Sequence, residues 1–152
     1  MRSSRKFTGV AVMSYEYVEL GGDASFIARG RNLNELFRQA ALAMYEIMVD
    51  VKKVDKVEEI TLELRSPDLS LLLHDWLSEL LYITDTKALV FSDFTVDITK
   101  EDSEYFLRGK ALGEKLNLLK HNPKTEIKAV TYHLLRIQKS EDFWEGIVVL
   151  DL

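Results

Sequence analysis

Residues able to do chemistry concentrate in two places. The stretch GEKLNLLKHNPKTEIKAVTY, over 113–132, brings Glu114, Lys120, His121, Glu126 and Lys128 close together in sequence. Ile127, Ala129 and Val130 interleave with those charges, so the stretch is not a plain solvated charge run. The second place is the chain end, where Ile147, Val148, Val149 and Leu150 lead into Asp151-Leu152. A carboxylate at the tip of a buried strand, beside the last residue's carboxylate, offers oxygen ligands of the kind hard cations such as Ca²⁺ or Mg²⁺ take. Asp23, after Gly21-Gly22, is a third acidic candidate. It reads either as a turn aspartate bonding its own backbone or as a metal ligand or acid–base group at a strand end.

The other candidates carry two readings each. His121 lies between Lys120 and Asn122-Pro123 in a polar loop, as an exposed histidine or as a binder of phosphate or metal. Lys128 leaves its strand on the polar face, as a surface lysine or as a cation that orders an acidic site or bonds a partner. Glu114, after Gly113, has the same ambiguity. There is no Walker loop and no GxGxxG, HExxH or GxSxG sequence. The interleaved basic and aromatic residues of RNA-binding sheets are also missing.

These residues need a scaffold, and the composition supplies one. With 152 residues, 47% of them hydrophobic, the chain suffices for one domain with a real core. The absence of cysteine excludes disulfides and thiolate metal sites and fits a reducing cytosol. A net charge of −5 disfavours gripping a phosphate backbone over a broad surface and favours protein and cation partners. No apolar run approaches the roughly 20 residues of a membrane span. Residues 1–12 read as a leader or extended start, with a single domain over 13–152 beginning at Met13.

Strands are expected over 15–20 and 24–29 around the Gly21-Gly22 turn. Asn32, with Glu35 three residues on, caps a helix over 33–49 whose apolar stripe runs from Leu33 to Met48. Ile60, Leu62 and Leu64 alternate with polar residues as a half-buried strand. Asp68 caps a second helix with a stripe from Leu69 to Leu81, and His74 and Asp75 lie at its edge. Strands follow over 94–98 and 105–112, then a loop over 113–123. Two more run over 125–137 and 143–150, joined as a hairpin. Helices early and strands late predict an α+β fold, a mainly antiparallel sheet with two helices packed on one face.

With these elements in order, the chain resembles the archease family from about Tyr15 to Leu152. YEYVELGGDASFIARG corresponds to the opening segment, RNLNELFRQAALAMYEIM and LLLHDWLSELLYI to the two helices, and GEKLNLLKH, EIKAVTYH and VVLDL to the late motifs. The resemblance implies a cytoplasmic accessory factor that assists an RtcB-type tRNA-splicing ligase. Such a ligase charges its own histidine with GMP, and the accessory factor speeds that charging and permits repeated turnover. It implies contact with tRNA only through the ligase and no membrane association. Carried over by position, Asp23, Asp151 and the Leu152 carbonyl would hold a divalent cation, Ca²⁺ foremost and Mg²⁺ or Mn²⁺ otherwise. Lys128 would serve activation, with Glu114 and His121 at the periphery. One departure is visible: Leu20 stands where the family has a histidine, and Gly21-Gly22 replace Thr-Ala.

Two rivals belong to other classes. A metal-dependent hydrolase would use Asp23, Glu114, His121 and Asp151 and turn over alone. A chaperone-like binding module would expose an apolar patch of more than a few hundred Å².

Overall fold

Residues 14–152 are described by the computed structural model. The leader over 1–12 and the start at Met13 lie outside the described residues. β1 (Ser14–Val18) and β2 (Ala24–Gly30) form an antiparallel hairpin. The turn between them needs Gly21, whose φ of +87° suits glycine, and Gly22, where a Cβ would meet Val149 at 2.3 Å. The turn therefore lies directly against the last strand.

Asn32 accepts the Glu35 N–H and starts α1 (Leu33–Met48), while Glu35 reaches back to the Arg31 N–H. Asp68 accepts the N–H groups of Ser70 and Leu71 and starts α2 (Leu69–Lys87). Both helices begin as their caps predict.

The α+β class and the antiparallel pairing hold, but the strands divide between two sheets. β8 (Trp144–Asp151) pairs along all of β2, from Ala24↔Leu150 to Gly30↔Trp144. On its other edge β8 takes β6 (Ala129–Val130) and β7 (Arg136–Lys139). β3 (Glu58–Ser66), β5 (Glu104–Lys115) and β4 (Leu89–Glu101) form a separate sheet in the order β3-β5-β4. The long β4–β5 hairpin turns at Asp102, in the left-handed region at φ 56°.

The continuous strand expected over 125–137 is not formed. Val130 faces Leu150 and Arg136 faces Ile147, so six steps on one side oppose three on the other. The surplus loops out through Leu134, also left-handed at φ 55°. Thr131 fixes the departure point, its N–H and hydroxyl both donating to the Val149 carbonyl.

The core lies between the helices and both sheets. Leu36, Phe37 and Met44 of α1 and Leu72, Trp76 and Leu80 of α2 meet Phe26 and Val148 of one sheet and Phe91 and Phe94 of the other. The Trp76 indole N–H donates to the Phe37 carbonyl at 3.0 Å and joins the helices. The fully buried Tyr45 hydroxyl donates to the Leu80 carbonyl and sits against Thr84. Under Trp76, Gly109 leaves the room that the ring occupies; a Cβ there would lie 2.5 Å from it.

Candidate functional site

The β2–β8 register fixes where the acidic candidates meet. Ala24 opposes Leu150, so Asp23 and Asp151 fall side by side just past the end of that ladder. The Leu152 N–H donates to Asp23 Oδ2 at 2.8 Å. The Lys128 N–H donates to the Asp151 carbonyl at 2.8 Å, one residue before β6 begins. Residues from three distant stretches thus interlock at one tip. Asp23, Lys128 and Asp151 are all exposed there.

The electrostatics reflect the crowding. The Asp23 carboxyl is held below its usual range, first by the Leu152 N–H and then by a hydrogen bond from the Asp151 carboxyl. The Lys128 ammonium adds to this at longer reach. Two adjoining carboxyls repel when both are ionised and are relieved by a shared proton or a cation. The donor set is all oxygen, which suits a hard cation. Among the described residues no group of three or more His, Cys, Asp or Glu side chains could hold a metal. A cation here would draw on two carboxylates and backbone oxygen such as the Leu152 carbonyl, and keep water on its other positions, as Mg²⁺ commonly does.

Asp23 is a wall between two recesses. One, of about 610 Å³, is lined by Tyr17, Glu19, Gly21 and Ile47. The other, of about 270 Å³, is lined by Asp151, Thr131 and His133. Sequence reasoning missed His133. Its signal was the final residue of EIKAVTYH, but placing it beside Asp151 requires knowing that the chain loops out after Val130.

His121 is the main correction. It is fully buried, not an exposed loop residue. It ends the short helix α3 (Leu118–His121), which Asn117 caps by accepting the Leu119 and Lys120 N–H groups. His121 Nδ1 accepts the Asn117 N–H at 2.9 Å, leaving Nε2 to donate to Glu114 Oε2 at 2.8 Å. The same oxygen receives Lys120 Nζ at 2.7 Å and the Asp55 N–H at 2.9 Å. Glu114 and His121 therefore clasp the 113–121 loop and bond to Asn117, Asp55 and Lys120 rather than to Asp23 or Asp151. This engages two of the four groups a stand-alone hydrolase would need.

The clasp predicts a pH effect. Lys120, the Asp55 N–H and His121 hold the Glu114 carboxyl down from 4.5 to about 2. A depressed carboxylate contributes stability above its unfolded value and loses it as pH falls through the folded one. The melting temperature is expected to drop between about pH 4.5 and 2, and Glu114→Gln is expected to flatten part of that drop. Parallel acid melting curves for the two proteins would contradict the clasp.

Fold and site together define an α+β domain with an oxygen-rich acidic tip, in which no described helix is long and apolar enough to cross a membrane. The family profile described as the Archease protein family (MTH1598/TM1083) matches residues 15–152, and the chain belongs to that family. It is 45% identical over 139 residues to the protein archease of Methanosarcina barkeri, covering 91% of this chain and 95% of that one. Against the protein archease of Pyrococcus furiosus the identity is 42%, covering 91% and 98%. The solution structure of Methanobacterium thermoautotrophicum protein 1598 superposes with a TM-score of 0.82 at 41% identity, covering 92% of this chain and 99% of that one. A Thermotoga maritima crystal structure, of an archease called a possible chaperone, shares the fold with a TM-score of 0.57 at 21% identity, covering 90% and 96%.

Proposed function

We propose that this protein is an accessory factor, not a stand-alone catalyst, that activates an RtcB-type tRNA-splicing ligase by promoting guanylylation of the ligase histidine and so permitting multiple turnover. Family membership supports the accessory role. The observation that carries the finer reading is the interlock of Asp23, Lys128, Asp151 and Leu152 at one exposed tip. Guanylylation is a phosphoryl-group transfer, and such reactions depend on placing positive charge against phosphate oxygens. The Lys128 ammonium supplies one such charge from the chain itself. A divalent cation on Asp23, Asp151 and the Leu152 carbonyl, with Ca²⁺ first and Mg²⁺ or Mn²⁺ next, would supply Lewis-acid charge when bound. The chain's own part is to hold that tip open and ordered: the Lys128 N–H fixes the Asp151 carbonyl, and the Leu152 N–H fixes Asp23.

The experiment is formation of the ligase–GMP adduct and of ligated RNA, with and without this protein. Adduct and repeated turnover should rise with it, and the protein alone should consume no GTP. An unchanged ligase, or turnover by the protein alone, contradicts the reading.

The cation has its own test. A ligand selective for the folded state adds about 2.7 kcal/mol at a hundredfold excess over its Kd. Ca²⁺ is expected to raise the melting temperature by several degrees, and Asp151→Ala to remove the increment. If Ca²⁺, Mg²⁺ and Mn²⁺ all leave the wild-type melt in place, the cation assignment fails.

A further inference from the structure

The acidic tip gives no role to His74, which the apolar period of α2 places at the edge of that helix. The imidazole is nearly buried, its side chain 12% exposed, and α2 packs it against β6. It does two things there. Nε2 stands 3.0 Å from the Val130 carbonyl. A carbonyl can only accept, so Nε2 carries the proton and donates. The ring also stacks on Tyr132, with centroids 4.1 Å apart and planes 16° from parallel. One side chain of α2 thus grips positions 130 and 132, on either side of Thr131. Asp75 Oδ1, 3.2 Å from Nδ1, and Ser78 Oγ, 3.5 Å from Nε2, flank the ring from its own helix.

The grip matters because the held segment has little other support. β6 is two residues long and ends the sheet order, so no described strand backs it. The residues leading into it, 122–128, and those leaving it, 131–135, are in neither helix nor strand. β8 holds the segment from one side, through the Lys128 N–H on the Asp151 carbonyl and Thr131 on the Val149 carbonyl. His74 holds it from the other. α2 is a firm base for this, since Leu73, Trp76 and Leu77 are fully buried. Edge segments with few buried contacts open locally at low cost, so a second support decides how closed this one stays.

Lys128 has the most to lose from opening. Lys128 and His74 line one recess of about 370 Å³ between α2 and β6. The Lys128 ammonium acts on Asp23, across the tip. Its place relative to the carboxyls follows the backbone at 128–130, and that backbone is clamped between β8 and His74.

We propose that His74 is a positioning residue for Lys128: by holding the Val130 carbonyl and the Tyr132 ring, it sets where the ammonium stands beside Asp23 and Asp151. The part Lys128 plays in activation rests on the functional reading above. A histidine that only covered a sheet edge would affect stability with no link to Lys128.

The test uses the whole protein and three variants. His74→Ala removes both grips, His74→Phe keeps a ring for Tyr132 and loses the bond to Val130, and His74→Gln keeps an N–H donor. Amide hydrogen exchange over 128–132 should quicken by about tenfold in the alanine variant, while β2 and the buried face of α2 exchange as in wild type. With the cognate ligase, maximal ligase–GMP formation at saturating protein should fall by about three- to tenfold, no deeper than for Lys128→Ala, at an unchanged half-activating concentration. Phenylalanine should resemble alanine, and glutamine should restore most of both readouts. Adding His74→Ala to Lys128→Ala should cost little more than Lys128→Ala alone, because the group being positioned is already gone. If the alanine variant does not fold, the phenylalanine variant carries each measurement in its place. Unchanged exchange over 128–132 overturns the positioning role. So does full activation by His74→Ala and His74→Phe while Lys128→Ala is impaired, or a His74→Ala loss that persists in full without Lys128; all three leave the functional reading intact. A wild-type protein that does not activate the ligase overturns the functional reading and the positioning role with it.

Discussion

Lys128→Ala is expected to leave the protein folded and to cut ligase activation by about tenfold or more, the effect of losing roughly 1.4 kcal/mol of transition-state stabilisation. The side chain is exposed, and its removal should cost no more than about 0.5 kcal/mol of stability. The backbone bond from residue 128 to the Asp151 carbonyl does not involve the ammonium and survives the change. What disappears is one positive charge acting on the Asp23 carboxyl. Asp151→Ala should produce a loss of similar size by removing the neighbouring carboxyl. If the residues act as a unit, the double variant will lose less than the two single losses added together. Full activation by both single variants would refute the site. Lys128→Arg separates charge from shape: retention of most activity points to the charge, and a loss as deep as alanine's points to the geometry of an ammonium.

The largest stability effect is expected at Trp76. It is fully buried, packs edge-on to Phe94, covers Gly109 and donates its indole N–H to Phe37. Trp76→Ala removes a side chain that both helices and the three-stranded sheet share, and such truncations cost about 3–5 kcal/mol. For a chain of this length that is a fall of roughly 6–20 °C in melting temperature. Trp76→Phe keeps most of the packing, loses the hydrogen bond to the Phe37 carbonyl, and should cost about 1–3 kcal/mol. The measurement is urea unfolding of the three proteins. An alanine variant within about 1 kcal/mol of wild type would mean that Trp76 is not where the layers meet.

The helices were legible because their signals are local. Asn32, three residues before Glu35, and Asp68 both cap as expected, and the apolar periods mark the buried faces. Strand existence was legible for the same reason, but strand partners were not. Alternation tells which face of β3 is buried, not that β3 lies beside β5 in a sheet apart from β8. The stretch 125–137 misled because its β-branched and apolar residues favour a strand, whereas the Thr131 bonds to Val149 and the left-handed Leu134 break it. His121 misled for a related reason. Its burial comes from Glu114 and Asn117 closing a loop around it, and polar neighbours in sequence say nothing of that. Asp23, Lys128 and Asp151 were named from sequence. Their convergence needed the β2–β8 register, which no local pattern encodes.

β8 follows every other strand in sequence, yet it is the strand that β2, β6 and β7 all pair with. During synthesis the β3-α2-β4-β5 portion can close on itself from nearby contacts, while the other sheet waits for its central member. Until then the edge of β2 has no partner, and Asp23 has neither Asp151 nor the Leu152 N–H beside it. The acidic tip therefore comes into being only as the sheet is completed, so a nascent or truncated chain cannot carry the site before it carries the fold.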